Sequence, residues 1–159
     1  MNKLYLLLGS NIGDSKIQLD TAINHIENNI GIVIKKSSLY KTAAWGNNNQ
    51  NNFTNQVILV ESILGAEDVI QLIFRIEKQM GRVRTIKNAA REIDIDILFF
   101  NNEIINTEYL TVPHKEIQNR MFVIVPMMEI APELKHPLLK KDISTLLLLC
   151  KDDLNVQKI

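Results

Sequence analysis

Asp94 and Asp96 stand two residues apart in Ile93-Asp94-Ile95-Asp96-Ile97-Leu98-Phe99-Phe100, a segment that alternates strictly and then turns wholly apolar. In an extended strand, residues at that spacing share a face and lie about 6 to 7 Å apart, so two carboxylates are held side by side on an otherwise apolar element. Such a pair repels unless a cation neutralises it. Oxygen ligands with no thiolate or histidine pair beside them favour Mg²⁺ or Mn²⁺ over Zn²⁺. The competing reading has both aspartates facing water, or paired with Arg84 and Arg91. Arg82, Arg84, Lys87 and Arg91 all lie within the dozen residues before Asp94, and arginine forks grip phosphate oxygens bidentately. Basic segment and carboxylate pair could therefore clamp a polyphosphate around a divalent cation, or could simply neutralise one another. The usual phosphate cradles are missing: the chain has neither G-x-x-x-x-G-K-[ST] nor G-x-G-x-x-G.

Other groups have chemistry to offer. His114 follows Thr111-Val112-Pro113 and precedes Arg120 and Phe122 at helical-scale spacing. The three could converge on one site, or His114 could be a turn residue after proline. Trp45, Phe53 and Phe122, with the amide of Asn55, could sandwich a flat heterocycle while the amide reads its edge; scattered aromatics also serve as core. Gly9-Ser10-Asn11 reads first as a strand-to-helix turn and second as a place where backbone approaches a ligand. His25 and His136 have no sequence partner suggesting catalysis, and Cys150, after Leu146-Leu147-Leu148-Leu149, reads as a packing residue.

These residues need a scaffold, and 159 residues with 46% hydrophobic and 23% charged side chains suffice for one core without disulfide or structural metal. A single domain spanning 1–159 is expected. Lys and Arg balance Asp and Glu at 18 each, which argues against a domain that coats nucleic acid or anionic membrane. One cysteine cannot form an internal bridge, consistent with a reducing compartment, and cytoplasm is the expectation. The apolar run Leu4 to Leu8 is too short to span a membrane and reads as a buried strand. A helix follows with Leu19, Ala22, Ile23, Ile26 and Ile30 on one face, capped at Gly31. Strands are expected from Ile32 to Tyr40 and from Phe53 to Glu61, with a polar loop between them. A second helix carries Val69, Ile73, Ile76 and Met80 and closes at Gly81. Arg82 to Arg91 has no period and reads as a loop. After Asp94 to Phe100 come a short return strand at Glu103 to Ile105 and a helical segment from Pro113 through Phe122. Pro126, Pro132 and Pro137 break the remainder into short helices, with Asp142 at one helix entrance, and Leu154 to Ile159 closes a sheet edge. The expected fold is α+β: a ferredoxin-like, antiparallel-dominated sheet with helices packed on it and an irregular C-terminal extension.

In order and spacing, Gly9-Ser10-Asn11, Thr42 with Gly46, Phe53-x-Asn55, Arg75-Ile76-Glu77, Gly81-Arg82-Val83-Arg84, Arg91-x-x-Asp94-Ile95-Asp96-Ile97-Leu98, Val112-Pro113-His114 and Asn119-Arg120-x-Phe122 resemble the 6-hydroxymethyl-7,8-dihydropterin pyrophosphokinase family. The resemblance covers nearly the whole chain and is weakest after about Leu134. It implies transfer of the pyrophosphoryl group of ATP to a pterin alcohol, with release of AMP, in folate biosynthesis. It also implies two Mg²⁺ ions on Asp94 and Asp96, with Arg82 and Arg91 acting on the transferring group and on closure of the basic loop. Thr42, Ala43, Trp45, Phe53, Asn55 and Phe122 would form the pterin pocket, and Glu77, Arg84, Ile97, Thr111, His114 and Arg120 the ATP site. The implied partners are the two small-molecule substrates, with no nucleic acid, no membrane and a monomeric chain. Ala89-Ala90 stands where Gly-Pro is common in the family, Ala43-Ala44 where prolines are frequent, and Phe53 where tyrosine is common. The competing readings are another two-metal nucleotidyl transferase on a similar sheet, an RNA-binding module, and a pterin- and nucleotide-binding module without catalysis.

Overall fold

The computed structural model describes residues 1–43, 52–81 and 93–159. Trp45, Arg82, Arg84, Lys87 and Arg91, and with them the readings of the polar and basic loops, lie outside the described residues.

The N-terminal apolar run becomes β1 (Asn2–Ser10), the strand on which the sheet is built. Leu4, Leu6 and Leu8 are fully buried on one face, each contributing about 1.5–3 kcal/mol relative to an exposed side chain, while Leu7 faces the opposite core. Helix α1 (Ser15–Asn29) starts where Asp14 accepts from Ile17 N and buries Leu19, Ala22, Ile23 and Ile26, the stripe its sequence spacing predicts. The chain continues through β2 (Ile32–Lys36), β3 (Tyr40–Thr42), β4 (Phe53–Ser62), α2 (Ala66–Gln79) and β5 (Asp94–Phe100). The sheet runs antiparallel in the order β5, β1, β4, with β2 and β3 both paired to β4. This is the ferredoxin-like arrangement expected from the sequence. One expected strand from Ile32 to Tyr40 is instead two, because Ser37 is pulled aside: it is buried, and its hydroxyl accepts from Val57 N at 3.0 Å while donating to Ser38 O.

Each face of the sheet carries its own core. Helices α1 and α2 cover Leu4, Leu6, Leu8, Ile58, Val60, Ile95 and Ile97. The other face packs Leu7, Val57, Leu98 and Phe99 against α3 (Met121–Ile130) and α4 (Ile143–Leu149). A register shift sets Tyr5 opposite Phe99 and Leu6 opposite Ile97, so Leu98 is an extra residue on this second face.

Beyond β5, the expected return strand falls later, as β6 (Ile105–Asn106) paired with β7 (Thr111–Val112). The expected helix after Pro113 is only a 3-10 turn at Ile117–Asn119, separated from α3 by the extended Arg120. Pro126 does not break α3. Pro126 is buried, as are Val123, Ile124 and Met127 of the same helix, and burial of the helix offsets the loss of one backbone hydrogen bond. Asp142 caps α4 by accepting from Thr145 N at 2.9 Å. The chain ends in β8 (Gln157–Lys158), which extends the sheet beside β3.

Candidate active site

The sheet register gathers the site. Across four adjacent strands, Tyr40 pairs with Asn55, Asn55 with Gly9, and Gly9 with Asp94, while Leu7 pairs with Asp96. Gly9, Asn55, Asp94 and Asp96 all line a pocket on the face covered by α3, which is completed by Leu7, Thr42, Ala43, Phe53, Arg120, Phe122 and Leu154. The two aspartates are half-buried between fully buried isoleucines, so the alternation of β5 aims both carboxylates into the pocket and Ile95 into the core.

Asn55 is buried, and its Nδ2 donates to Thr42 Oγ1 at 3.3 Å. This fixes the direction of its amide beside Gly9, where an added Cβ would stand 2.6 Å from Asn55 Oδ1. Gly9 thus leaves the amide room to present its oxygen. Phe53 enters from the start of β4 and Phe122 from the first turn of α3, with the Arg120 guanidinium 5.6 Å from the Phe122 ring centroid. Thr42, Ala43, Phe53, Asn55 and Phe122, the described members of the expected pterin set, are therefore brought together.

A second pocket adjoins the first and shares Asp96 with it. Ile70, Phe74, Ile95, Ile97, Tyr109, Leu110, Thr111, His114 and Lys115 line the remainder. Ile97, Thr111 and His114 were expected at an ATP site and do meet here. Arg120, expected with them, borders the first pocket instead, because it is the extended residue that leads into α3. Ile70, Phe74, Leu110 and Lys115 escaped the sequence reading. Phe74 belongs to the apolar stripe of α2, and nothing in its spacing separates a pocket residue from a core residue.

Glu77, which the resemblance assigns to the ATP site, also has a structural partner in β5. It lines neither pocket; it is 1% exposed, and one carboxylate oxygen accepts from Ile95 N at 2.9 Å. Among the described residues β5 is an edge strand, so the outward N–H of Ile95 meets no strand there, and Glu77 satisfies it between the two aspartates. Glu77→Leu leaves that N–H buried and unsatisfied and should cost about 1–3 kcal/mol, whereas Glu77→Gln keeps an acceptor and should cost less. Urea unfolding midpoints of the two variants check this ordering.

His114 Nδ1 accepts from Glu116 N at 3.1 Å, and the backbone N–H of His114 donates to Leu98 O at 2.9 Å. Burial, reinforced by the nearby Arg120 charge, pushes its imidazole below the ordinary 6.5. His136, buried against Phe99 with its Nδ1 accepting from Leu138 and Leu139 N, is lowered by burial as well. Both are neutral in the folded chain at neutral pH. Between the lowered folded value and 6.5, the unfolded chain binds protons that the folded chain does not, so stability falls as pH drops through that window and levels off below it. Thermal midpoints from about pH 7.5 to about pH 5.5 should decline, and less steeply in His136→Gln.

Among the described residues, no group of three or more His, Cys, Asp and Glu side chains comes together. The Asp94 and Asp96 pair nonetheless suits a hard cation, with water and phosphate oxygens completing its shell.

Fold and site define a ferredoxin-like α+β protein in which two adjoining pockets meet at Asp96. A sequence model of the family described as 7,8-dihydro-6-hydroxymethylpterin-pyrophosphokinase (HPPK) matches residues 5–132. The chain belongs to that family. It is 40% identical over 141 residues to the 2-amino-4-hydroxy-6-hydroxymethyldihydropteridine pyrophosphokinase of Aquifex aeolicus, covering 89% of this chain and 88% of the relative. It is 36% identical over 135 residues to the enzyme of the same name from Bacillus subtilis, covering 84% and 81%. A folic acid synthesis protein of Schizosaccharomyces pombe is 37% identical over 138 residues, 86% of this chain and 19% of that protein. The crystal structure of wild-type Plasmodium falciparum HPPK-DHPS superposes with a TM-score of 0.71 at 19% identity, over 92% of this chain. This chain spans 43% of that one, so the likeness to it is one of fold.

Proposed function

We propose that this chain transfers the pyrophosphoryl group of ATP to 6-hydroxymethyl-7,8-dihydropterin as a step in folate synthesis. The substrate's hydroxymethyl oxygen attacks the β-phosphorus of ATP and gives up its proton, the bond from the β-phosphorus to the bridging α–β oxygen breaks, and AMP leaves. The observation that carries this reading is the junction of the two pockets at Asp96. A flat ring held between Phe53 and Phe122, with its edge on Asn55, places its substituent beside the carboxylates. A nucleotide among Ile97, Thr111 and His114 brings its phosphates to the same point from the other side. Transfer of this kind depends mainly on positioning and on preorganised charge.

Asp94 and Asp96 would hold two Mg²⁺ ions, which when bound supply Lewis-acid withdrawal of phosphate charge. Neutral His114 offers Nε2–H as a donor to a phosphate oxygen, its Nδ1 being occupied by Glu116 N. Arg120 supplies positive charge at the edge of the first pocket. For Arg82, Arg84, Arg91 and Trp45 the support is the sequence resemblance: the arginines would bear on the phosphates and Trp45 on the pterin. Residues 1–159 act as one domain, monomeric and cytoplasmic in this reading. The shared sheet beneath both cores supports the single domain, and the lone cysteine is consistent with a reducing compartment. Among the described residues, no helix is long and apolar enough to cross a membrane.

Incubation with ATP, Mg²⁺ and the pterin, followed by chromatography of the nucleotides, tests the reaction. Pterin-dependent AMP is expected; pterin-dependent ADP would mean transfer of a single phosphoryl group and overturn it.

A further inference from the structure

The family match ends at residue 132, yet the pocket assigned to the pterin is finished by a residue beyond it. Leu154 lines that pocket and belongs to neither hydrophobic core, so its apolar side chain serves the cavity.

The segment that carries Leu154 is anchored on both sides of the pocket. One oxygen of Asp152 accepts from Met121 N at 2.9 Å, and the other accepts from Leu154 N at 3.0 Å. Met121 opens α3 immediately before Phe122, so a single carboxylate fixes Leu154 relative to the ring assigned to one face of the pterin. Farther along, Gln157 and Lys158 pair with Lys41 and Tyr40 of β3, the strand that ends at Thr42. Ile159 N donates to Leu39 O at 2.9 Å. Lys158 Nζ lies 3.8 Å from Glu129 of α3, whose carboxylate also accepts from Ser38 N and Oγ and from the Tyr40 hydroxyl. The tail therefore ties α3 to β3, the elements that contribute Phe122 and Thr42.

We propose that residues 151–159 form a strap completing the pterin pocket, with Leu154 setting the room available to the ring and Asp152 acting as a positioning residue. This rests on the pterin reading of that pocket. Truncating an apolar wall residue beside a bound ring opens a gap that water or a larger ligand can fill, which typically costs about tenfold or more in affinity. The nucleotide pocket has no residue from the strap, so its affinity is untouched.

The test uses full-length wild type, Leu154→Ala, Asp152→Asn and Asp152→Ala. The pterin is titrated calorimetrically in saturating non-hydrolysable ATP analogue and Mg²⁺, and the analogue is titrated separately. Leu154→Ala should bind the pterin about tenfold more weakly with unchanged analogue affinity, and should lose less for a dihydropterin bearing an extra ring methyl. Asp152→Asn, which keeps one acceptor oxygen for two N–H groups, should fall between wild type and Asp152→Ala in pterin affinity. A folded Leu154→Ala with wild-type pterin affinity overturns the strap, as does an equal loss for both ligands. Wild-type protein that binds the analogue but no pterin overturns the ligand reading, and the proposal with it.

Discussion

Asp94→Asn combined with Asp96→Asn should reduce turnover by about three orders of magnitude or more while leaving the fold intact. The two carboxylates share a face of β5 beside Leu7 and Gly9 of β1, where the proposed reaction brings phosphate and acceptor oxygen together. A cation held there would supply several kcal/mol of transition-state charge stabilisation, and each 1.36 kcal/mol is tenfold in rate. Asparagine keeps the shape and removes the charge. Each asparagine is nearly isosteric with the aspartate it replaces, so the cooperative melt should be retained. Initial rates with both substrates saturating, alongside melting curves with and without Mg²⁺, check both halves. Wild-type turnover in the double variant would remove the metal assignment.

Gly9→Ala should weaken pterin binding about a hundredfold and spare the nucleotide. A methyl group at residue 9 would stand 2.6 Å from Asn55 Oδ1, well inside van der Waals contact. The backbone at Gly9 is held in register by both β4 and β5, so the amide must move instead. Asn55 is buried and tied to Thr42, and turning away breaks that bond and removes the oxygen from the pocket. A site built to hydrogen-bond a substrate loses most when that partner is missing or misdirected. Pterin affinity in the presence of an ATP analogue should fall in Gly9→Ala as it does in Asn55→Ala. Combining the two changes should add little, because both remove the same contact.

What the sequence disclosed follows from periodicity. The alternation of Ile93 to Ile97 predicted the β5 carboxylate face, and the apolar spacing of Leu19 to Ile26 predicted the buried side of α1, because both signals are local. Phe53, Asn55 and Phe122 were visible as residue types at suggestive spacing, and the sheet register then brought them together. Three features lay outside a local reading. Glu77 was legible only through the resemblance, and its bond to the N–H of Ile95, eighteen residues away, was not visible locally. Pro126 signalled a break, but burial of α3 carries the helix through it. Leu154 reads in the sequence as the start of a strand closing the sheet edge, but that strand is only Gln157–Lys158, and Leu154 ahead of it lines the pocket, its N–H held by Asp152.

The central claim is that the bond broken in ATP lies between the α- and β-phosphorus atoms. ATP labelled at the β-phosphorus, incubated with the protein, Mg²⁺ and the pterin, tests it most directly. The account predicts that the label appears on the pterin, with unlabelled AMP as the sole nucleotide product. Label recovered in ADP would mean that only the terminal phosphoryl group had moved, and label in free pyrophosphate with adenylate joined to the pterin would mean nucleotidyl transfer; either result would contradict it.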